Sequence, residues 1–243
     1  MKTLIFTVLI MVFCNPIFAS ELDVLRGFFG HNGISDKSAL YHGEMLEYAV
    51  DEPTMGDRLP KEVSATYRKL YEKNNKAVYA VLLSDGQQSQ DWYAYLEREN
   101  EIWKLSAVRK LALPGMFFMA LQQLETKQKR SEEEEWKYQN MLLTIKSDKE
   151  LKEYLKSKLV EFNDVVALLL KDKNEQYEIK SKRLFINSIE NNNGVIELSI
   201  GGILDNSVGY LYVMPGNNPP EMSPSEFIYI EKITDGWYIY KTT

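Results

Sequence analysis

Two histidines and one nearby carboxylate are the residues in this sequence whose types could support proton transfer. His31 and His42 are eleven positions apart, and Glu44 follows His42 by two. A histidine beside a carboxylate is a common proton shuttle near neutral pH. His31, His42 and Glu44 are therefore the candidate catalytic set, of a kind that would suit a hydrolase or isomerase acting on a small molecule. Their spacing weakens that reading, because residues two apart share a face on a strand but not on the helix expected here. An ordinary surface or capping role is the expectation, and no catalytic residue is assigned. Neither histidine stands in a His-Glu-x-x-His or other metal spacing. The run Glu132–Glu135 could serve a hard cation only if its carboxylates converged, and successive helical residues diverge. With Ser131 as N-cap, the run instead complements a helix dipole. There is no Gly-x-Ser-x-Gly elbow and no glycine-rich phosphate loop, and Gly201-Gly202 sits inside a strand pattern as a bulge. No metal and no cofactor are expected.

Tyrosine is the overused residue, with 15 copies. Tyr210, Tyr212, Tyr229, Tyr238 and Tyr240 all fall on C-terminal strands, where alternation separates Tyr238 and Tyr240 from Trp237 and Ile239. An exposed tyrosine face offers apolar area with a polar tip, which suits a protein or a saccharide. These five are the candidate binding residues.

The elements that must position such residues follow an apolar opening. Lys2, the run Leu4–Phe13 and the small residues Ala19-Ser20 have the layout of a secretory leader, with cleavage expected after Ala19. The run is shorter than the roughly 20 residues a membrane span needs, so no retained span is expected. Cys14 lacks the small preceding residue of a lipoprotein signal, since Phe13 occupies that place. Removing Lys2 with residues 1–19 leaves 28 Lys+Arg against 35 Asp+Glu and shifts the net charge of the 243-residue chain from −6 to −7. It also removes the single cysteine, and with it disulfide and thiolate chemistry. The acidic balance argues against a nucleic-acid partner. The expected location is periplasmic or secreted.

The expected elements begin with an apolar cluster, Leu22–Phe29, that ends at Gly30. A helix opens at Ser35-Asp-Lys37, residues 51–60 form a loop, and Lys61–Lys73 has helical spacing. A meander over 77–83, 92–96 and 102–108 follows, then an apolar helix over 116–124. The charged stretch 127–146 reads as a linker or exposed helix. Ser147-Asp-Lys-Glu150 has the form of a capping box, opening a helix of about 22 residues. Strands are expected over 177–189, 195–203, 208–214, 227–233 and 237–240, joined by turns at Asn191–Gly194, Asp205-Asn206 and Asp235-Gly236.

Tyr95–Leu105 aligns without gaps on Tyr229–Ile239 at an offset of 134 residues, with Trp103 over Trp237. The helix-then-meander order recurs around both hairpins. The expected class is therefore α+β, with two related helix-plus-antiparallel-meander halves, each a curved sheet packed on a helix. The boundaries are 1–19 for the leader, 20–126 for the first half, 127–146 for the charged linker or helix and 147–243 for the second half.

A helix followed by a meander that closes on Trp103-Lys-Leu or Trp237-Tyr-Ile resembles the cystatin-like and nuclear-transport-factor-two-like superfamily. The residues concerned are Glu150–Lys171 with Tyr177–Tyr240, and more loosely Ser35–Val108. The resemblance implies a sheet wrapped around a helix, with the space between them either open to a small ligand or plugged by side chains. It also implies an Asp–His pair in enzymatic members, and the second half has no histidine. The expected function is an exported, non-catalytic binding or protein-interaction module of the bacterial envelope or secretome, with a protein or saccharide partner and undetermined oligomeric state. The alternatives are the hydrolase or isomerase near His31, His42 and Glu44, and a structural envelope component.

Overall fold

The computed structural model describes residues 20–31, 33–34, 36–172 and 174–243. The expected leader, with Cys14 and Ala19, and the residue Ser35 lie outside the described residues. Four helices, α1 (Glu21–Phe29), α2 (Lys37–Leu40), α3 (Gly43–Tyr48) and α4 (Met55–Arg58), precede a sheet of β1 (Ser64–Lys73), β2 (Lys76–Ser84), β3 (Ser89–Glu99) and β4 (Ile102–Arg109). Helices α5 (Gly115–Glu125), α6 (Glu132–Thr144), α7 (Asp148–Ser157), α8 (Leu159–Leu169) and α9 (Asn174–Arg183) follow. The second sheet has β5 (Ser188–Asn192), β6 (Val195–Ile203), β7 (Asn206–Val213), β8 (Phe227–Thr234) and β9 (Trp237–Thr242). Both sheets are antiparallel, so the chain is α+β. Among the described residues no helix is long and apolar enough to cross a membrane.

The first sheet is buried on both faces. Tyr79, Val81, Ala94, Leu96, Trp103 and Leu105 pack under Val24, Leu25, Phe29 and Leu40 of the N-terminal helices. Val78, Tyr93, Tyr95 and Ala107 turn the other way and join one core with Leu151, Phe162, Tyr229 and Trp237 of the second half. The two halves therefore share a core. Tyr93 stacks on Tyr229 with ring centroids 4.7 Å apart, and the Tyr95 hydroxyl donates to the Ile228 carbonyl at 3.0 Å.

The first sheet is a sequential meander, β1-β2-β3-β4, but the second has the order β5-β6-β7-β9-β8. The expected second meander is not formed, because β9 enters between β7 and β8. The aligned hairpins also differ in register. Arg98 pairs with Trp103, whereas the aligned Lys232 pairs with Tyr238 across an irregularity between Lys232 and Thr234. Their similarity does not extend to sheet order.

The stretch expected as a helix over Lys61–Lys73 is strand β1. A register shift between Lys69 and Tyr71 produces the helical spacing. A bulge flips every later side chain to the opposite face, so Tyr67 packs on the N-terminal core and Leu70 and Tyr71 on the shared one. The single helix expected from Ser147 breaks at Lys158 (φ −118°, ψ 19°) into α7 and α8. There the Ser157 hydroxyl donates to the Tyr154 carbonyl at 2.8 Å, competing for a main-chain acceptor. The strand expected over 177–189 is mostly helix α9. Glu175 in its first turn and Lys180, Lys182 and Arg183 in its last complement the helix dipole. The helix expected from Ser35 is the two short pieces α2 and α3, and the loop 51–60 contains α4, capped by Thr54 and Asp57. The stretch 127–146, expected as a charged linker or an exposed helix, is largely helix α6, which is not simply exposed but packs through Met141 and Leu143. The Asn140 amide there donates to the carbonyls of Phe185 and Ile200, at 2.7 and 2.6 Å.

Other expectations match the structure. Gly201 marks a register shift in β6, Asn193 and Gly194 both have positive φ in a hairpin turn, and Ser131 and Ser147 each form a capping box. Glu150 of the second box is held at about 2 by the Lys146 ammonium and the Ser147 hydroxyl. A carboxyl with a lowered folded pKa contributes stability above its unfolded value and loses it as pH falls toward the folded one. Acid unfolding of wild type between about pH 4.5 and pH 2 should therefore exceed that of Glu150→Gln, as followed by far-ultraviolet circular dichroism. Trp237 is 1% exposed, lies 5.5 Å from the Phe162 ring, and donates from its indole N–H to the Asn163 side chain at 2.9 Å. Trp237→Ala should cost roughly 3–5 kcal/mol in urea unfolding.

Candidate functional site

The structure holds His31, His42 and Glu44 in separate settings. The exposed His31 follows α1, with Nε2 2.8 Å from the Val63 carbonyl oxygen. His42 precedes α3, and its ring lies 3.6 Å from Glu97 and 3.8 Å from Glu99. Glu44 turns to Arg109, whose guanidinium donates to both of its oxygens at 2.6 and 2.7 Å. Arg109 Nε also donates to the Pro224 carbonyl at 2.7 Å, tying α3 and β4 to the loop before β8. The three residues therefore do not converge, because Glu44 is spent on the arginine fork and His31 on a main-chain oxygen. Among the described residues no cluster of three metal-ligating side chains is present.

The expected tyrosine face is corrected by burial. Tyr210, Tyr229 and Tyr240 are each 0% exposed, which leaves no ring for a saccharide or protein to cover. Each hydroxyl is occupied within the fold. Tyr210 donates to the Leu151 carbonyl at 2.7 Å, Tyr229 to Glu231 at 2.5 Å and Tyr240 to Glu197 at 2.6 Å. Tyr212 and Tyr238 are half-buried, Tyr212 against Trp237 at 5.1 Å and Tyr238 against Leu211, Ile230 and Tyr240 on the opposite face. The alternation argument separated the faces correctly but missed that Phe227 covers Tyr240, at a centroid distance of 5.8 Å.

A buried charge cluster lies where the two sheets and the start of α7 meet. Lys241 is 4% exposed, and its ammonium lies 2.6 Å from Asp148 and 3.6 Å from Asp91. Tyr93 donates to the same Asp148 oxygen at 2.8 Å. Asp91 accepts from the Asp148 backbone N–H at 2.8 Å. The other Asp148 oxygen is buried without a hydrogen-bond partner. Burial, and then the neighbouring Asp148 charge, raise Asp91 above the usual carboxylate range, with Lys241 only partly offsetting them. Burial opposes ionisation of Glu231 nearby, but hydrogen bonds from Tyr229, Lys152 and Arg68 outweigh it and hold Glu231 low.

Sequence reading missed Asp91, Asp148 and Lys241. A signal was present, because Lys241 shares its strand parity with Trp237 and Ile239 and therefore points inward. The same holds for Asp91 beside Tyr93 and Tyr95. The cluster is a junction, since Lys241, Asp148 and Asp91 tie β9, α7 and β3 together.

A surface of different character lies on α5 and α6. Helix α5 fully buries only Phe117 and leaves Met116, Phe118 and Met119 67%, 49% and 63% exposed. Beside them runs a groove of about 540 Å³, lined by Met116, Phe117, Ala120, Trp136, Met141 and Ile203 among others. Glu133, Trp136, Lys137, Asn140 and Met141 line its α6 wall, at the i, i+3, i+4, i+7, i+8 spacing of one helix face. Gly201 and Gly202 of β6 also line it. The apolar run 116–124 was legible as a helix, but which face it would leave uncovered was not.

Lys241→Met removes the only cation among the described residues within ion-pair distance of buried Asp148, and should destabilise the fold by roughly 3–5 kcal/mol. Asp91→Asn keeps an acceptor for the Asp148 backbone N–H and removes the like charge, so it should be neutral or stabilising near neutral pH. Equilibrium urea unfolding of both variants separates the two effects. No family model, curated protein or solved structure matches this chain.

Proposed function

We propose that the protein is an exported, non-catalytic interaction module of a bacterial envelope or secretome, and that it engages a protein partner through the α5–α6 face. One observation carries this reading: a methionine- and phenylalanine-rich helix leaves Met116, Phe118 and Met119 exposed, and Met116 lines an apolar groove. Contiguous apolar surface rimmed by polar residues marks interaction sites, and methionine adapts to the shape of what it contacts. Leu204 adds a further apolar tip at 94% exposure. The interior of the second half supports the same reading. The Phe162 ring of α8 packs edge-on against Tyr210 and Trp237 of the second sheet, at 5.2 and 5.5 Å, so side chains plug the space between that helix and the sheet. The leader-like sequence of residues 1–19 supports export.

Two measurements test the proposal. Intact-mass analysis of the protein from the periplasmic or culture fraction should give a chain beginning at Ser20, and retention of the full-length chain in the cytosol would remove the export reading. A photo-crosslinking amino acid placed at Met119 should yield a discrete protein adduct in cells, whereas one placed at exposed Val160 of α8 should not. Absence of an adduct at Met116, Phe118 and Met119 alike would leave a purely structural envelope role.

A further inference from the structure

We propose that Lys241 and Asp148 condense into an intramolecular amide, with Asp91 carrying protons between them. The interior brings together a lysine, a carboxyl to receive it and a second carboxyl beside both. The Lys241 nitrogen lies 2.6 Å from Asp148 Oδ1 and 3.6 Å from Asp91. No other ion pair among the described residues buries both of its side chains as deeply. The lysine is also held in place, with Nζ 5.7 Å and 6.0 Å from the centroids of the stacked Tyr93 and Tyr229 rings. Effective molarities of about 10⁵–10⁸ M are reached by groups oriented within one molecule, so amide formation here competes with hydrolysis by water.

The two Asp148 oxygens have different surroundings. Oδ1 accepts from the Tyr93 hydroxyl at 2.8 Å as well as from Lys241, whereas Oδ2 is buried without a partner. Asp91 accepts from the Asp148 backbone N–H at 2.8 Å and so stands next to both reacting side chains. Burial, and then the charge of Asp148, raise Asp91 above the usual carboxylate range, which suits it to hold a proton in transit. A first proton passes from the lysine through Asp91 to Asp148 Oδ2, leaving a neutral amine and a carboxylic acid. The amine attacks Asp148 Cγ, and the Tyr93 hydroxyl stays on Oδ1 as negative charge gathers there. A second proton follows the same route, the Cγ–Oδ2 bond breaks, and Oδ2 leaves as water. Ammonium and carboxylate have become amide and water, with no oxidant or activating group consumed. The product keeps the Tyr93 bond on its carbonyl oxygen and turns its N–H toward Asp91. The oxygen that had no partner is gone.

The amide joins positions 93 residues apart, at the start of α7 and on β9. Residues 20–243 contain no cysteine, and an amide gives them a covalent brace without thiol chemistry. Such a link constrains the unfolded chain as a disulfide does. The urea unfolding expected of Lys241→Met and Asp91→Asn holds against wild-type chains still in the ion-paired state. Mass spectrometry tests the proposal on the full chain, expressed with its own leader and purified folded. The intact mass should fall below that of the sequence from its observed N-terminus by one water, about 18 Da. Trypsin does not cut after an acylated lysine, so the digest should contain a branched peptide joining residues 147–149 to residues 233–243. Lys241→Arg keeps the cation without a comparable nucleophile and should show the full mass. Asp91→Asn keeps an acceptor for the Asp148 N–H and should fold, but its yield of branched peptide should drop at least about tenfold. A wild-type chain of full mass would overturn the inference. So would a water lost elsewhere, as in a succinimide at Asp235-Gly236, or an Asp91→Asn chain as fully cross-linked as wild type.

Discussion

The ammonium of Lys241 and the carboxylate of Asp148 meet at 2.6 Å, where both are almost wholly buried. An isolated charge in such a place is expensive enough that the surrounding elements must be arranged to keep the pair together. Lys241 fixes β9 against the start of α7, Asp91 brings the start of β3, and Tyr93 reaches the same oxygen from the first sheet. The stacking of Tyr93 on Tyr229 and the ties from Tyr95 to β8 and Arg109 to the adjoining loop then follow from that placement. The unpartnered second oxygen of Asp148 is a cost the junction carries. Apolar residues of similar shape could close the same gap with as much stability. They would not single out one rotation of the first sheet against the second as strongly as a cation between two carboxylates does.

Local chemistry was the part of the fold most readily read from sequence. Asn193-Gly194 and Asp235-Gly236 announce hairpins because few residues accept positive φ. Ser131 and Ser147 announce helix starts because an unpaired N–H at a helix end needs an acceptor. Where sequence reading failed, a nonlocal partner decided the outcome. Leu70 and Tyr71 sit in a helix-like pattern only because β2 imposes a bulge on β1. Tyr177–Ser181 alternates as a strand does, yet it forms a helix beside α8, where Lys180 meets Asp164 at 2.7 Å. Parity could place Lys241 and Asp91 inside, but nothing local pairs residues 57 and 93 positions from Asp148.

The exposed apolar surface lies elsewhere than on the tyrosine strands. The tyrosine strands are internal structure: their hydroxyls are the polar groups by which a mostly apolar interior hydrogen-bonds to backbone carbonyls and to Glu197 and Glu231. The unremarkable-looking run Gly115–Glu125 instead leaves three large apolar side chains in contact with solvent. Aromatic rings on central strands are well suited to being covered from both sides. A helix at the margin of a sheet has only one side to bury, and its outer side is set by whatever it meets next.

The strand order has a consequence for how the protein is assembled. β9 is last in chain order among the described strands yet lies inside its sheet, with β7 on one side and β8 on the other. Until β9 arrives, β7 offers a bare hydrogen-bonding edge and Asp148 has no cation. The β8–β9 hairpin can form by itself because its turn is short, and it then enters as a unit that closes the edge and neutralises the carboxylate together. A chain emerging from a narrow channel must therefore hold its second sheet open until β9 has passed. Completion is then a single late event, in which pairing of backbone and pairing of charge cannot be separated.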